Sequence, residues 1–533
     1  MSLPDIPFVI SSYPQIVHLL IIFTIFCATW GYILCPGKEW LIDDQEGIAP
    51  FSDKWDEKKQ EVIDFYEVGD KDKKKYKNFQ FNKEIGFPSS IIRWLRINLG
   101  KKFCTIAKNK KGHDVYGSVQ DPRKHHAISF FLHFINIFLC YFVLHHLFGA
   151  QIAFMASVLF CVHPVSAQGV AWISGIGYLL CLFGSLAALL VSFHVEQWYV
   201  CVPLVFAFCT IASCGLFSGA LLFLIFLCLG DYLSALACFW VFLISFFSFG
   251  KMFVSHRVTE FKKQNMGHTT TLNARKLIVM IKTFWYYFKL LIFPKRLSLF
   301  HTWGYHWTPL MNRVDGMFWK GLITLCVFLA AFILGPLPVK FGICWWIVYL
   351  LIFSNFITAM QFVVDRYAFI SSLGYSILVS YLLLDYPVLF WFLVGLYMMR
   401  TLVYLPAFDN ILNFYKYNAL NFPNSEVALG NLGVILAGKG KLGSAVDVWN
   451  ESIKINDYYD VAHYNLSNVY KSHGQMQLAF DHLRKCLNAN VVHFEDHWKK
   501  EFQELEKIMN ASRPLNKHME ELNERYRSLQ SWK

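Results

Sequence analysis

From His126 to about Gly250 the chain is almost continuously apolar, and no motif constrains its folding more. A bilayer core holds no water to satisfy backbone N–H and C=O groups, so a long apolar run must pair its backbone internally, as helices. The run divides into spans near 127–148, 151–165, 169–193, 198–214, 215–230 and 232–250. Val17–Cys35 forms an earlier span, ~20 apolar residues being enough to cross a core ~30 Å thick. Leu277–Phe293 forms another, with Lys282 and Lys289 interrupting an aromatic-rich helix that Pro294 stops. Further spans lie near 316–335, 341–364, 368–384 and 387–405, about eleven in all by length and polarity.

Composition agrees with a membrane protein. Charged residues make up 16% of the chain, against about 25% in soluble domains. They crowd into 36–126, 251–289 and the tail after residue 421, which are therefore the aqueous parts. Met1–Pro14 carries no basic residue and the first apolar run is long enough to remain as an anchor, so no cleavable leader is expected. The charge bias leaves orientation open, because the positive-inside rule holds for short loops and the most basic loop here is long.

The 14 cysteines do not form a disulfide or metal pattern. Most sit singly inside apolar runs, as Cys27, Cys140, Cys161, Cys209 and Cys326 do, and Cys104 and Cys486 have no partner at C-x-x-C spacing. We expect small buried apolar residues and no metal site. The net charge of +12 owes much to Lys71–Lys77 and Lys108–Lys111. Such runs suit anionic headgroups or a solvated loop, and no nucleic-acid-binding motif accompanies them.

Within the apolar run, Leu159–Leu180 reads LFCVHPVSAQGVAWISGIGYLL. His163-Pro164 breaks the helix and Ser166, Gln168 and Ser174 follow. A break of this kind has to be buried in protein or line a cavity. It is where such a bundle keeps a site, yet it contains no acid, lysine or arginine.

Between the first span and His126 lies an aqueous segment that opens on Trp40-Leu41-Ile42-Asp43-Asp44. Later in it, Ile91–Ile97 alternates apolar and basic residues as a helix lying on the membrane surface would. After Pro423, self-comparison at an offset of 34 aligns Ala428 with Ala462, Leu432 with Leu466, Gly433 with Ser467, Gly440 with Gly474, Ala445 with Ala479 and Ile453 with Leu487. Trp449 and Leu483 fill the large position. This is the tetratricopeptide period. Two repeats fall short of the ~3 that a stable array needs, so capping helices are expected. Phe494, Trp498, Phe502, Leu505 and Met509 share one helical face, as do Leu515, Met519, Leu522, Tyr526 and Leu529. Those faces pack either on the repeats or on a partner.

The order of membrane domain and repeats resembles the transmembrane and tetratricopeptide repeat-containing O-mannosyltransferases, whose membrane part has the glycosyltransferase C-type fold. Residues along nearly the whole chain carry the resemblance: Asp43-Asp44, Pro88–Asn98, His126 with His133, His163-Pro164-Val165, Val170-Ala171-Trp172-Ile173, Asn355, and Asp365-Arg366-Tyr367 with Phe369, Ser372, Leu373 and Gly374. It implies an all-α, polytopic helix bundle with a C-terminal repeat domain. It also implies that a first-loop acid acts as general base on a Ser or Thr hydroxyl, while basic residues hold the phosphate of a dolichol-phosphate sugar. Asp43 or Asp44 would be the base, and Arg366 and His163 the phosphate or lipid contacts. Arg366 could instead pair with Asp365.

Five positions depart from the family pattern. Gln168 stands where a Glu is expected, Gly175-Ile176-Gly177-Tyr178 where a charged run follows Val-Ala-Trp, and Phe87-Pro88 where Arg-Pro opens the interfacial helix. Ala212–Gly219 lacks the Ser-Lys-Glu motif, and His301 replaces a late acid. Charges beside a membrane cavity are costly and persist mainly for function. Losing them together predicts a non-catalytic structural or assembly subunit that docks other membrane proteins through its aqueous loop and repeats. It would need no cofactor, although a bound phospholipid or polyprenyl phosphate is compatible. The alternative is an active O-mannosyltransferase using dolichol-phosphate mannose. A transporter is disfavoured because the two halves show no inverted repeat.

By resemblance the compartment is the endoplasmic reticulum, with the mitochondrial inner membrane as the alternative for a recruited scaffold. The domains read as 1–36, first transmembrane helix; 37–125, aqueous loop with interfacial helix; 126–405, polytopic domain; 406–423, linker; 424–493, two repeats; 494–533, capping helices.

Overall fold

Among the described residues the long apolar stretches are helical. The computed structural model describes residues 14–35, 38, 41, 103–108, 114–118, 122–194, 218–245, 247, 274–298, 301, 313–351, 363–488, 499–508 and 510. They belong to two compact units, one reaching Tyr417 and one beginning at Asn418.

The first unit contains α1 (Pro14–Trp30), which a 3₁₀ turn extends to Leu34. A short hairpin follows, β1 (Phe103–Lys108) paired antiparallel with β2 (Asp114–Ser118). It is the exception to helix among the described residues, and it falls in the segment expected to be a loop with an interfacial helix. Next come α2 (Pro122–Phe148), α3 (Ala150–Val162), α4 (Ser166–Ala171) and α5 (Ile176–His194), then α6 (Ser218–Leu229) and α7 (Tyr232–Ser245). The unit continues with α8 (Ala274–Ile292), α9 (Gly316–Leu334), α10 (Leu337–Leu351), α11 (Ser371–Leu382), α12 (Pro387–Tyr404) and α13 (Ile411–Asn421), whose last residues belong to the second unit.

Five stretches among the described residues are long and apolar enough to cross a membrane: Pro14–Leu34, His125–Phe148, Ile176–His194, Gly316–Leu334 and Pro387–Phe408. The chain is an α-helical membrane protein. Helix α3 is its axis, with every residue from Met155 to Val162 buried by packing against α1, α2, α11 and α12. A helix that is apolar all round is a core helix. Only 17% of α9 is buried, so this helix lies at the rim and turns most of its apolar surface outward. Helices α10 and α11 approach most closely at Gly342 and Gly374, where a Cβ on Gly374 would meet the Gly342 carbonyl and the backbone of Trp346. Glycine is required there because backbone occupies the space a side chain would take.

Two expected spans differ from the structure. The stretch 169–193 is not one helix, because Trp172 is extended (φ −88°, ψ 118°) between α4 and a 3₁₀ turn at Ile173–Gly175. The span expected from 341 begins at Leu337, directly after Pro336. The supposed linker 406–423 is largely helical, since a 3₁₀ turn at Leu405–Phe408 leads into α13. Lys282 sits inside α8 at 1% exposure because Asp315 meets its ammonium at 2.7 Å. Asp315 also caps α9, accepting from the Met317 and Phe318 N–H groups.

The second unit holds α14 (Glu426–Gly438), α15 (Leu442–Ile455), α16 (Asp460–Ser472) and α17 (Met476–Asn488). Both hairpins begin 34 residues apart, and both turn through a left-handed glycine, Gly440 at φ 76° and Gly474 at φ 74°. Ala428, Ala462, Ala445 and Ala479 are fully buried where the helices cross. Trp449 fills the space beside Gly433 and donates to the Gly430 carbonyl at 3.0 Å. Residues 499–508 form a further helix, and its Phe502 ring stacks on Phe480 at 4.4 Å while Leu505 is buried. This part of the C-terminal apolar face therefore packs on the second hairpin; Phe494, Trp498, Met509 and 515–529 lie outside the described residues.

Candidate functional site

At the end of α3, Pro164 cannot continue the helical ladder, and the last carbonyls of the helix lose their partners. Side chains from elsewhere supply the donors. Trp30 Nε1 donates to the Cys161 carbonyl at 2.9 Å and Thr401 Oγ1 to the Val162 carbonyl at 2.7 Å. His163 itself points to the end of α8. Its Nε2 donates to the Leu291 carbonyl at 3.0 Å, and its Nδ1 accepts from the Val165 N–H at 3.3 Å. The partners set the tautomer. Both nitrogens of this wholly buried ring are thereby used within the protein, between Tyr375 and Tyr397.

The α8 terminus shows the same economy. Tyr397 OH reaches the Leu291 and Ile292 carbonyls at 2.9 Å each. Arg400 donates through Nε to the Pro294 carbonyl and through Nη2 to the Lys295 carbonyl, both at 3.1 Å. Pro294 stops α8, and α12 caps what it leaves open.

The third polar cluster surrounds Asp365-Arg366, in a 3₁₀ turn before α11. Asp365 is fully buried. Its carboxylate accepts from the Ser298 N–H at 2.7 Å and Tyr404 OH at 3.0 Å on one oxygen, and from His301 Nε2 at 2.8 Å on the other. His301 Nδ1 lies 2.9 Å from Tyr286 OH. Gln168 Oε1 accepts from the Arg366 backbone N–H at 2.9 Å. Gln168 and His301 thus both hydrogen-bond the Asp365-Arg366 turn, one on a backbone N–H and the other on the carboxylate. Val364 is held likewise, its N–H donating to Tyr287 OH at 3.2 Å.

The Arg366 guanidinium lies over the faces of Trp172, at 4.7 Å from the ring centre, and Tyr367, at 5.2 Å, within cation–π range. Beside it, the buried Gln168 Nε2 and Trp172 Nε1 have no hydrogen-bond partner among the described residues. This corner therefore carries a half-buried cation and two neutral donors.

Of the residues expected at a site, His163 and Arg366 belong to neighbouring breaks on either side of α4. Asp43 and Asp44 lie outside the described residues. Lys38, a possible partner for them, forms an ion pair with Asp409, which also accepts from Tyr32 OH at 2.6 Å. The sequence reading missed Thr401, Tyr397 and Arg400, whose only signal is three polar groups at adjacent turns of an apolar helix. Among the described residues no three His, Cys, Asp or Glu side chains converge as a metal site would require.

Tyr397→Phe keeps the ring and removes the hydroxyl that caps α8. It is expected to lower stability by about 1–3 kcal/mol, the cost of stranding a buried acceptor, measured by equilibrium unfolding in detergent. Tyr386→Phe, at an exposed position, should change it by less than ~0.5 kcal/mol. No known family model matches the chain, and no curated protein matches it.

Proposed function

We propose that this chain is a multi-pass membrane protein with a glycosyltransferase C-like bundle and two C-terminal tetratricopeptide repeats, and that it acts as a non-catalytic structural or assembly subunit of a membrane complex. The observation that carries this reading is the use of the conspicuous polar groups. Asp365 has three donors on its carboxylate, His163 has both nitrogens engaged, and Gln168 and His301 bond the Asp365-Arg366 turn. A transferase needs a group poised to take a proton from its acceptor. Groups committed to holding helix ends serve architecture instead.

The repeat assignment rests on the 34-residue register of α14–α15 and α16–α17 and on the alternation of small and large residues within it. Partners would dock on the repeat unit and on the aqueous segment 37–125. The compartment follows from the resemblance as the endoplasmic reticulum, with the mitochondrial inner membrane as the alternative for a recruited subunit.

The experiment is native electrophoresis of the tagged protein extracted in mild detergent, with mass spectrometry of the band. Migration in a large particle with stoichiometric, unrelated membrane subunits is the expected result. A monomer or homodimer under several mild detergents would sink the assembly role.

The corner at Arg366 supports a lipid as well. A guanidinium flanked by the donors Gln168 Nε2 and Trp172 Nε1 suits the phosphate of a phospholipid or polyprenyl phosphate. Arg366→Met is expected to reduce such lipid in the purified protein, quantified by mass spectrometry against wild type. Equal lipid content in the two proteins would remove the assignment.

A further inference from the structure

In the second unit two histidines face each other across the α16–α17 hairpin. His463, fully buried on α16, has its Nδ1 at 2.8 Å from Nδ1 of His482 on α17. Its other nitrogen, Nε2, lies 2.8 Å from the Asp457 carbonyl in the turn before α16. A carbonyl only accepts, so His463 carries its proton on Nε2 and offers a lone pair at Nδ1. His482 therefore donates from Nδ1. The bond between the helices needs the lone pair on His463 Nδ1, so it survives a proton on His482 Nε2 and fails when His463 Nδ1 takes one.

Burial opposes an added proton on either ring. The first goes to His482 Nε2, on a ring stacked on Tyr470 at 5.3 Å, and leaves the inter-ring bond in place. The second sets N–H against N–H between the rings. The charged groups acting on the pair are Lys485, which opposes a cation on either ring, and Asp457 and Asp481, which favour one. Lys485 is itself tied to the Asp457 carboxylate at 2.6 Å, and that ion pair draws Asp457 below the usual carboxylate range.

We propose that the His463–His482 pair is a proton-sensitive latch, holding the second hairpin of the repeat unit closed at neutral pH and loosening it in acid. Burial, followed by the facing ring and Lys485, holds His482 down at about 4. Burial likewise lowers His463 below its ordinary value. Both rings bind protons less readily folded than unfolded, so the unfolded hairpin gains protons as pH drops from about 6.5. Stability is full above that value and is lost progressively on the way down to about 4.

The test is hydrogen–deuterium exchange of the full chain in detergent at pH 7 and pH 5, with labelling times scaled for intrinsic exchange. Protection of α16–α17 peptides should fall about ten- to thirty-fold in acid. His482→Gln retains a donor that does not titrate, so it should keep protection at pH 7 and flatten the fall. Lys485→Met should shrink the fall, because it removes a charge that opposes ring protonation in the folded hairpin and so brings folded and unfolded proton affinities closer. A flat wild-type profile overturns the latch, as does a His482→Gln profile that falls like wild type. Should His482→Gln not fold, the wild-type and Lys485→Met profiles decide, and a Lys485→Met fall as large as that of wild type overturns the latch.

Discussion

Backbone carbonyls at broken helix ends are the groups on which this bundle depends. Inside a membrane an unpaired C=O has no water to turn to, and a break is tolerated only where protein supplies the partner. The chain breaks at His163-Pro164 and before Asp365, both buried, and at Pro294, which is buried between the exposed Phe293 and Lys295. At each break the donors come from distant helices: Trp30 and Thr401 for α3, and His163, Tyr397 and Arg400 for α8. Gln168 and the Asp365 carboxylate accept the backbone N–H groups of Arg366 and Ser298. These bonds join α1, α3, α8 and α12 more specifically than apolar packing does, since each requires one donor at one place.

The same interactions give the polar motifs that read as a site in sequence a place in the packing. A His-Pro in an apolar run and an Asp-Arg-Tyr before a helix are rare and costly, which makes them read as a site. Their cost is offset here by the bonds they make. His301, where an acid is expected by resemblance, bridges Asp365 and Tyr286. That bridge keeps the buried carboxylate hydrogen-bonded on both oxygens.

Much of this was legible in the sequence. The apolar runs marked the bundle, and the break at His163 pointed to a buried polar turn. The offset of 34 residues placed both C-terminal hairpins, down to the glycines at 440 and 474. What escaped depended on partners far apart in the chain. Thr401 lies 239 residues from the carbonyl it caps and Tyr397 lies 106, and no local pattern announces such pairs. The continuous span expected over 169–193 failed because apolarity reports depth in the membrane and is blind to an extended residue such as Trp172. The hairpin at 103–118 was hidden because its strands are short and one ends in the Lys108–Lys111 run.

The repeat unit follows different physics. It is held by small residues at helix crossings, by Trp449 against Gly433, and by a neutral histidine pair sensitive to protons. The membrane unit offers no comparable adjustable element among its capped breaks. The central claim is that this bundle retains a transferase-like architecture without transfer. Its most direct test is a sugar-transfer assay with purified full-length protein, dolichol-phosphate mannose and Ser/Thr-rich acceptor peptides. The account predicts no transfer above background. Transfer that is lost in Asp43→Asn or Asp44→Asn, with both variants still folded, would contradict it.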